Sequence, residues 1–183
     1  MYPLKQRASF NGDDPDCRKI LDIVWRTARL CAHEHYYDCP YYEQLQYVGD
    51  TRIQALVSYS AAGDGRLGRQ AILQYDWSRL HEGITQSRYP STWTQFIPGF
   101  SLYWVMMVRY YYDYFGDLEL VKEVMPGIKT VLDWFERKRL ENGLIDHLPY
   151  WNFTDWLTEW PVGNPARDTR LPLTISWQAS EAN

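Results

Sequence analysis

The chain has 183 residues, a net charge of −4 and three cysteines; 45% of its residues are hydrophobic and 16% aromatic, with 9 Trp and 15 Tyr. That length supports one domain with a real core, and the composition is too apolar and aromatic for a disordered chain. The acidic balance gives no electrostatic basis for binding nucleic acid or an anionic membrane surface.

MYPLKQRASF has no apolar h-region, so no signal peptide is read and a cytoplasmic location is the default expectation. The longest apolar run, near FSLYWVMMV, is too short to span a membrane. Cys17, Cys31 and Cys39 have no zinc-like spacing, so reduced thiols are expected.

Asp14-Pro15 is a helix start, a cap followed by a first-turn proline. Cys17, Leu21, Val24, Ala28 and Cys31 then recur at helical spacing, which predicts a helix over 15–33 with that stripe as its inner face. A second helix is expected to place Ile53, Leu56, Val57 and Ser60 on one face and to close at Ala62-Gly63. Asp64 can cap a third, over 65–79, with Leu67, Ala71, Ile72 and Tyr75. Residues 80–97 read as a long loop rich in Ser, Thr, Pro and Gly.

Pro98 opens a fourth helix so apolar that burial nearly all round is expected. Gly116-Asp117 stops it and caps a fifth, in which Pro126 should cause a break or kink before the pattern resumes to about 140. After residue 143 the period is lost, and PYWNFTDWLTEWP carries three tryptophans. The expected class is all-α, built of antiparallel hairpins. Residues 1–160 form the domain and 161–183 an irregular tail.

The stretch DCPYYEQLQYVGD, Asp38 to Asp50, sets three carboxylates among aromatic side chains between two helices. Sugar-cleaving sites are built this way. One acid with a raised pKa protonates the leaving oxygen, while others stay ionised, bind hydroxyls and stabilise a positively charged transition state. Simpler roles compete with this one. Asp50 follows Gly49 and precedes a helix, as an N-cap does. Glu43 can be a solvated loop acid, and Asp38 can stabilise a turn. Trp151 and Trp156 can be a sugar platform or loop staples. His33 and His35 could join Cys31 or Cys39 around a metal, but an i,i+2 pair does not share a helix face, and histidines at a helix C-terminus interact with its dipole. No metal and no cofactor are expected.

DCPYYEQLQYVGD resembles the motif of the α-L-rhamnosidases of glycoside hydrolase family seventy-eight, typically DCPQRERLGWTGD. Asp38, Cys39, Pro40, Glu43, Leu45, Gly49 and Asp50 agree. The preceding IVWRTARLCAHEHYYDCP, the later SRYP and IP, and DWL at Asp155–Leu157 also follow the family's order, so the similarity covers roughly residues 15–160. The resemblance implies an (α/α)6 toroid that binds the sugar at one end and cleaves with inversion. It implies Glu43 as general acid, Asp38 and Asp50 as rhamnose-binding carboxylates, Tyr47 in the place of a family tryptophan, and Trp156 in the sugar pocket. The partner implied is a rhamnoside or a related sugar.

Two departures stand out. Tyr41 and Tyr42 replace the family's Gln and Arg, which bears on sugar specificity. Five helices are fewer than twelve, and the family's general base, a glutamate from the far half of the toroid, has no motif here. The chain is therefore expected to be a fragment that keeps the general-acid half of the site. Its uncovered apolar faces should favour self-association. The alternatives are a non-catalytic helical-hairpin protein that binds carbohydrate or assembles through these loops, and a lyase or epimerase on the same toroid using His33, His35 or Tyr47.

Overall fold

In the computed structural model, residues 1–10 and 12–165 are described. They form five α-helices: α1 Pro15–Leu30, α2 Val48–Ala62, α3 Arg66–Trp77, α4 Pro98–Phe115 and α5 Leu118–Glu136, followed by a 3-10 turn at Pro161–Gly163. Among the described residues there is no strand, only isolated bridges such as Tyr47 with Arg88. None of these helices is long and apolar enough to cross a membrane. The part of the expected tail beyond residue 165 lies outside the described residues.

The caps follow local chemistry. Asp14 accepts the N–H of Asp16 at 2.8 Å, with Pro15 at the first helical position. Asp117 accepts the N–H of Leu120 at 3.0 Å. Asp64 stands one residue before the α3 cap, Gly65, yet still takes the Arg66 N–H at 3.1 Å. Gly63 and Gly116 end α2 and α4 at φ +62° and +65°, conformations that cost a side-chain-bearing residue free energy.

The connections alternate in length. Two short turns, 63–65 and 116–117, join α2 to α3 and α4 to α5. Segments 31–47, 78–97 and 137–165 are long and gather at the opposite end of the helices, so neighbouring helices run antiparallel. The core between the ends holds Trp104, Trp134, Tyr75, Ile72, Met107 and Leu120, all buried. Trp104 satisfies its indole N–H on the Ile72 carbonyl at 3.0 Å.

Four expectations need correction. On α1, Leu21 and Val24 are exposed, as are Ile20 and Ile23; only Ala28 is buried, because α2 is the one helix that packs against it. On α2 the inner face is Val48, Thr51, Ala55, Ser58, Tyr59 and Ala62, while Ile53 and Ser60 face outward. Hydrogen bonds let polar side chains point inward there: the Tyr36 hydroxyl reaches Ser58 at 2.9 Å and the Tyr75 hydroxyl reaches Thr51 at 3.0 Å. α4 is not buried all round, since Met106, Tyr112, Tyr114 and Phe115 are exposed. α5 continues through Pro126 to Glu136, with Val124, Ile128 and Val131 anchoring the helix on both sides of the proline.

The 78–97 connection is not a loose surface loop. Thr85 and Ser87 are buried; Ser87 N–H donates to Gln95 O at 2.8 Å, and Thr85 N–H to Ser101 Oγ at 3.0 Å. Its polar backbone is paired internally, so it can serve as a rigid wall.

Candidate active site

The long-loop end holds the acids. Residues 38–45 close into a small ring. Asp38 N–H donates to Leu45 O at 2.9 Å, and Leu45 N–H donates back to Asp38 Oδ1 at 2.8 Å. Asp38 thus acts as a turn stabiliser, as the simpler sequence reading had it. One of its carboxylate oxygens takes that backbone N–H, and the other is not used in this ring. At the tip Glu43 is exposed, its N–H directed to Cys39 Sγ at 3.3 Å. Gln44 beside it sits at φ +54°, a conformation costing roughly 1 kcal/mol for a residue with a Cβ. Tyr42, in the place of the family's arginine, is 88% exposed.

Gln46 anchors this ring. Its side chain is fully buried; Nε2 donates to Gln74 Oε1 and to Tyr89 O, each at 2.7 Å, and Oε1 accepts Tyr36 N–H at 3.3 Å. The Tyr75 hydroxyl donates to the Gln46 carbonyl at 3.1 Å. Val48 N–H to Ser87 O at 2.9 Å and Tyr89 N–H to Gln46 O at 3.2 Å lay residues 46–48 against 87–89.

Asp50 is not the N-cap of α2. Tyr47 holds that position, and Asp50 is the third helical residue. Gly49 is required because a Cβ there would come within 2.8 Å of the Phe100 ring. Burial pushes the Asp50 pKa up, and the charges of Asp38 and Glu43 push it further, against the lowering effect of its own backbone N–H. The charges of Asp38 and Glu43 thus both bear on Asp50. Behind them the buried Cys31 thiol is raised by burial and by Cys39, Asp38 and Asp50.

Tyr47 joins the acids to the second loop. Arg88 Nη1 donates to its hydroxyl at 2.7 Å, and the guanidinium lies 5.4 Å from its ring centroid. Burial, with the influence of Glu43, raises the Tyr47 pKa to about 12, so the hydroxyl keeps its proton.

Trp156 is 69% exposed and packs with Trp151 and Phe153. This cluster meets the site's wall through Phe153 and Phe100, whose centroids are 6.2 Å apart, and through Trp151 N–H to Phe96 O at 3.2 Å. Among the described residues, the ring contacts and hydrogen bonds of Trp156 stay within its own segment and do not reach the three acids.

His33 Nε2 lies 3.1 Å from the Leu30 carbonyl at the end of α1, and His35 Nδ1 lies 2.9 Å from Tyr36 O. Both rings thus serve local backbone carbonyls at and just after a helix C-terminus. Among the described residues, no group of three or more His, Cys, Asp or Glu side chains is placed to hold a metal ion.

Sequence reasoning missed Gln46, Arg88 and Phe100. Arg88 lies in the SRYP element, but nothing in the spacing connects it with Tyr47, 41 positions earlier.

An all-α hairpin domain with three acids gathered at its long-loop end has the makings of a carbohydrate-cleaving domain. A family profile described as the bacterial alpha-L-rhamnosidase 6 hairpin glycosidase domain matches residues 5–175, and the chain belongs to that family. Its structure is similar to that of a GH78-family rhamnosidase of Bacillus sp. GL1, with 28% identity and a TM-score of 0.79 over 85% of this chain and 16% of that one. It also resembles a rhamnosidase from Klebsiella oxytoca with rhamnose bound, with 21% identity and a TM-score of 0.78 over 87% of this chain and 32% of that one. The chain thus spans less than a third of the length of either solved structure. Comparison with curated proteins gave no match. The fold is part of an (α/α) toroid of the six-hairpin glycosidase kind.

Proposed function

We propose that this chain carries the general-acid side of an inverting glycosidase site for terminal α-L-rhamnosides. The observation that carries the reading is that Asp50, at the long-loop end of the helices, has its pKa raised by burial and then by the charges of Asp38 and Glu43. Glu43, exposed at the ring tip, delivers a proton to the glycosidic oxygen. Asp38 and Asp50 accept hydrogen bonds from sugar hydroxyls and stabilise the positive charge that grows on the ring as the bond breaks. Tyr47 and Trp156 supply apolar faces to the sugar.

Inversion also needs a base roughly 6.5–9.5 Å from the acid, with room for a water between. In this reading the base lies outside this chain, which spans 16% and 32% of the two solved rhamnosidases. The second reading is a carbohydrate-binding or assembly module without catalysis, which the solvent-facing Trp156 cluster would serve equally well.

The test is hydrolysis of p-nitrophenyl α-L-rhamnoside by the chain and by Glu43→Gln, beside rhamnose titrations followed by tryptophan fluorescence. The expected result is binding without turnover. Turnover lost in Glu43→Gln would keep Glu43 as the acid but place the base within this chain. Binding that is indifferent to Asp38→Asn and Asp50→Asn would favour the module reading, and no binding at all would defeat both.

A further inference from the structure

Residues 148–165 carry the aromatic cluster and fold largely upon themselves. Asn152 bonds back to Leu148, and the Trp151 indole N–H donates to the Val162 carbonyl at 2.9 Å. Among the described residues, two hydrogen bonds join this segment to the rest of the domain. Trp151 N–H donates to Phe96 O at 3.2 Å, and the Tyr150 hydroxyl donates to the Glu82 carboxylate. Glu82 is itself fixed to α5. Its other carboxylate oxygen accepts the buried Trp134 indole N–H at 3.1 Å, and its carbonyl accepts Arg137 Nη2 at 3.2 Å.

The backbone of this segment is strained at two points. Tyr150 has φ +73° and Val162 φ +53°, the left-handed region that aromatic and β-branched residues avoid. Such conformations persist only where the surroundings fix them. For Tyr150 the fixing contacts are the Glu82 carboxylate and the Phe96 ring, with centroids 5.1 Å apart.

We propose that Glu82 and Tyr150 are positioning residues that latch the Trp151–Phe153–Trp156 platform beside the acid site. The contacts run without a break from latch to acid. Tyr150 precedes Trp151, whose ring centroid lies 4.9 Å from that of Phe153. Phe153 meets Phe100 at 6.2 Å, and Phe100 lies against Gly49, the neighbour of Asp50. A carboxylate that accepts a phenolic O–H makes a short, directional bond, so one hydroxyl can hold the strained turn. With that hydroxyl removed, Tyr150 relaxes toward negative φ and turns the following side chains away from the wall. Both residues act through the platform and not on the sugar.

The inference rests on the reading in which this aromatic cluster faces the sugar, but its first readout needs no sugar. The full chain is labelled with 5-fluorotryptophan, and its fluorine resonances are assigned by single Trp→Phe changes. Tyr150→Phe removes one hydroxyl and keeps the ring on Phe96. It should shift the Trp151 and Trp156 resonances and leave that of the buried Trp104 in place, which guards against simple unfolding. Exchange of the Trp151 amide should quicken by about tenfold. Glu82→Ala should do the same and also move Trp134. Glu82→Gln keeps an acceptor for Trp134 and an amide for the tyrosine oxygen, and should recover much of the wild-type spectrum.

Rhamnose should bind about fivefold more weakly to Tyr150→Phe, with little change in melting temperature. The proposal is overturned if Tyr150→Phe leaves the Trp151 and Trp156 resonances and the Trp151 amide unchanged. It is equally overturned if the platform moves and rhamnose affinity does not. Failure of wild type to bind rhamnose, with the resonances still responding to Tyr150→Phe, would sink the rhamnosidase reading and leave the latch standing.

Discussion

The two ends of the helical stack treat their carboxylates in opposite ways. At the short-turn end, Asp64 and Asp117 are held below the ordinary carboxylate range, Asp64 chiefly by its hydrogen bond from Arg66 and Asp117 chiefly by the Leu120 N–H, with Arg69 at 3.1 Å. At the long-loop end, Asp50 is pushed up by burial and by two other acids. Partners matter more than location, as Glu82 shows. It lies in the 78–97 loop, yet hydrogen bonds from Tyr150 and Trp134 hold its pKa down. An acid with donors stabilises the fold. An acid left among other acids holds ionisation free energy in reserve for chemistry.

The strongest way to break this contrast is Gln46→Ala. It removes hydrogen bonds that tie the acid ring to α3 and the second loop and leaves buried partners unsatisfied. A loss of about 3 kcal/mol in urea unfolding is expected. Hydrogen exchange should show early opening of the Val48 and Tyr89 amides, with the 63–65 and 116–117 turns still protected.

Asp117→Ala removes a cap and an ion pair at the other end, with an expected loss of about 1 kcal/mol near neutral pH. Because the folded pKa of Asp117 is lowered, its contribution is complete above the ordinary value of 3.8 and is lost as pH falls through the folded pKa. The difference from wild type should therefore shrink in strong acid, and a pH-independent difference would refute the ionic part.

Asp50→Asn has the opposite sign. A raised carboxylate pKa opposes folding above that pKa and ceases to do so as pH falls through it toward 3.8. The variant should melt higher than wild type at pH 7, by less as the solution is acidified, and should lose rhamnose binding. A lower melting temperature at pH 7 would mean that the helix-dipole contribution of Asp50 outweighs its burial.

The smallest effect on stability, but the most visible in solution, concerns α1. Ile20, Leu21, Ile23 and Val24 leave an apolar surface on this helix that favours association. Sedimentation velocity should show concentration-dependent association, suppressed in Ile23→Lys with little change in melting temperature. A single monomer boundary at high concentration would show that this face needs no cover.

Much of this protein was already legible as sequence. Asp14-Pro15, Ala62-Gly63, Pro98 and Gly116-Asp117 set helix boundaries through local rules of capping and backbone conformation, which need no neighbours. Asp38, Glu43 and Asp50 were singled out by the resemblance of their stretch to a family motif, and they lie on a short ring and in the first turn of α2. Tertiary structure decided the rest. Which face of α2 turns inward depends on hydroxyls from Tyr36 and Tyr75, so apolar periodicity pointed the wrong way. α5 runs through Pro126 because core contacts on both sides outweigh one missing hydrogen bond. Asp50 proved a half-buried acid inside the helix and Tyr47 its cap, with Gly49 close against Phe100 and residues 87–89 lying along 46–48. Arg88 entered the site from a loop whose course is set only when distant segments pair, and no local pattern carries that information.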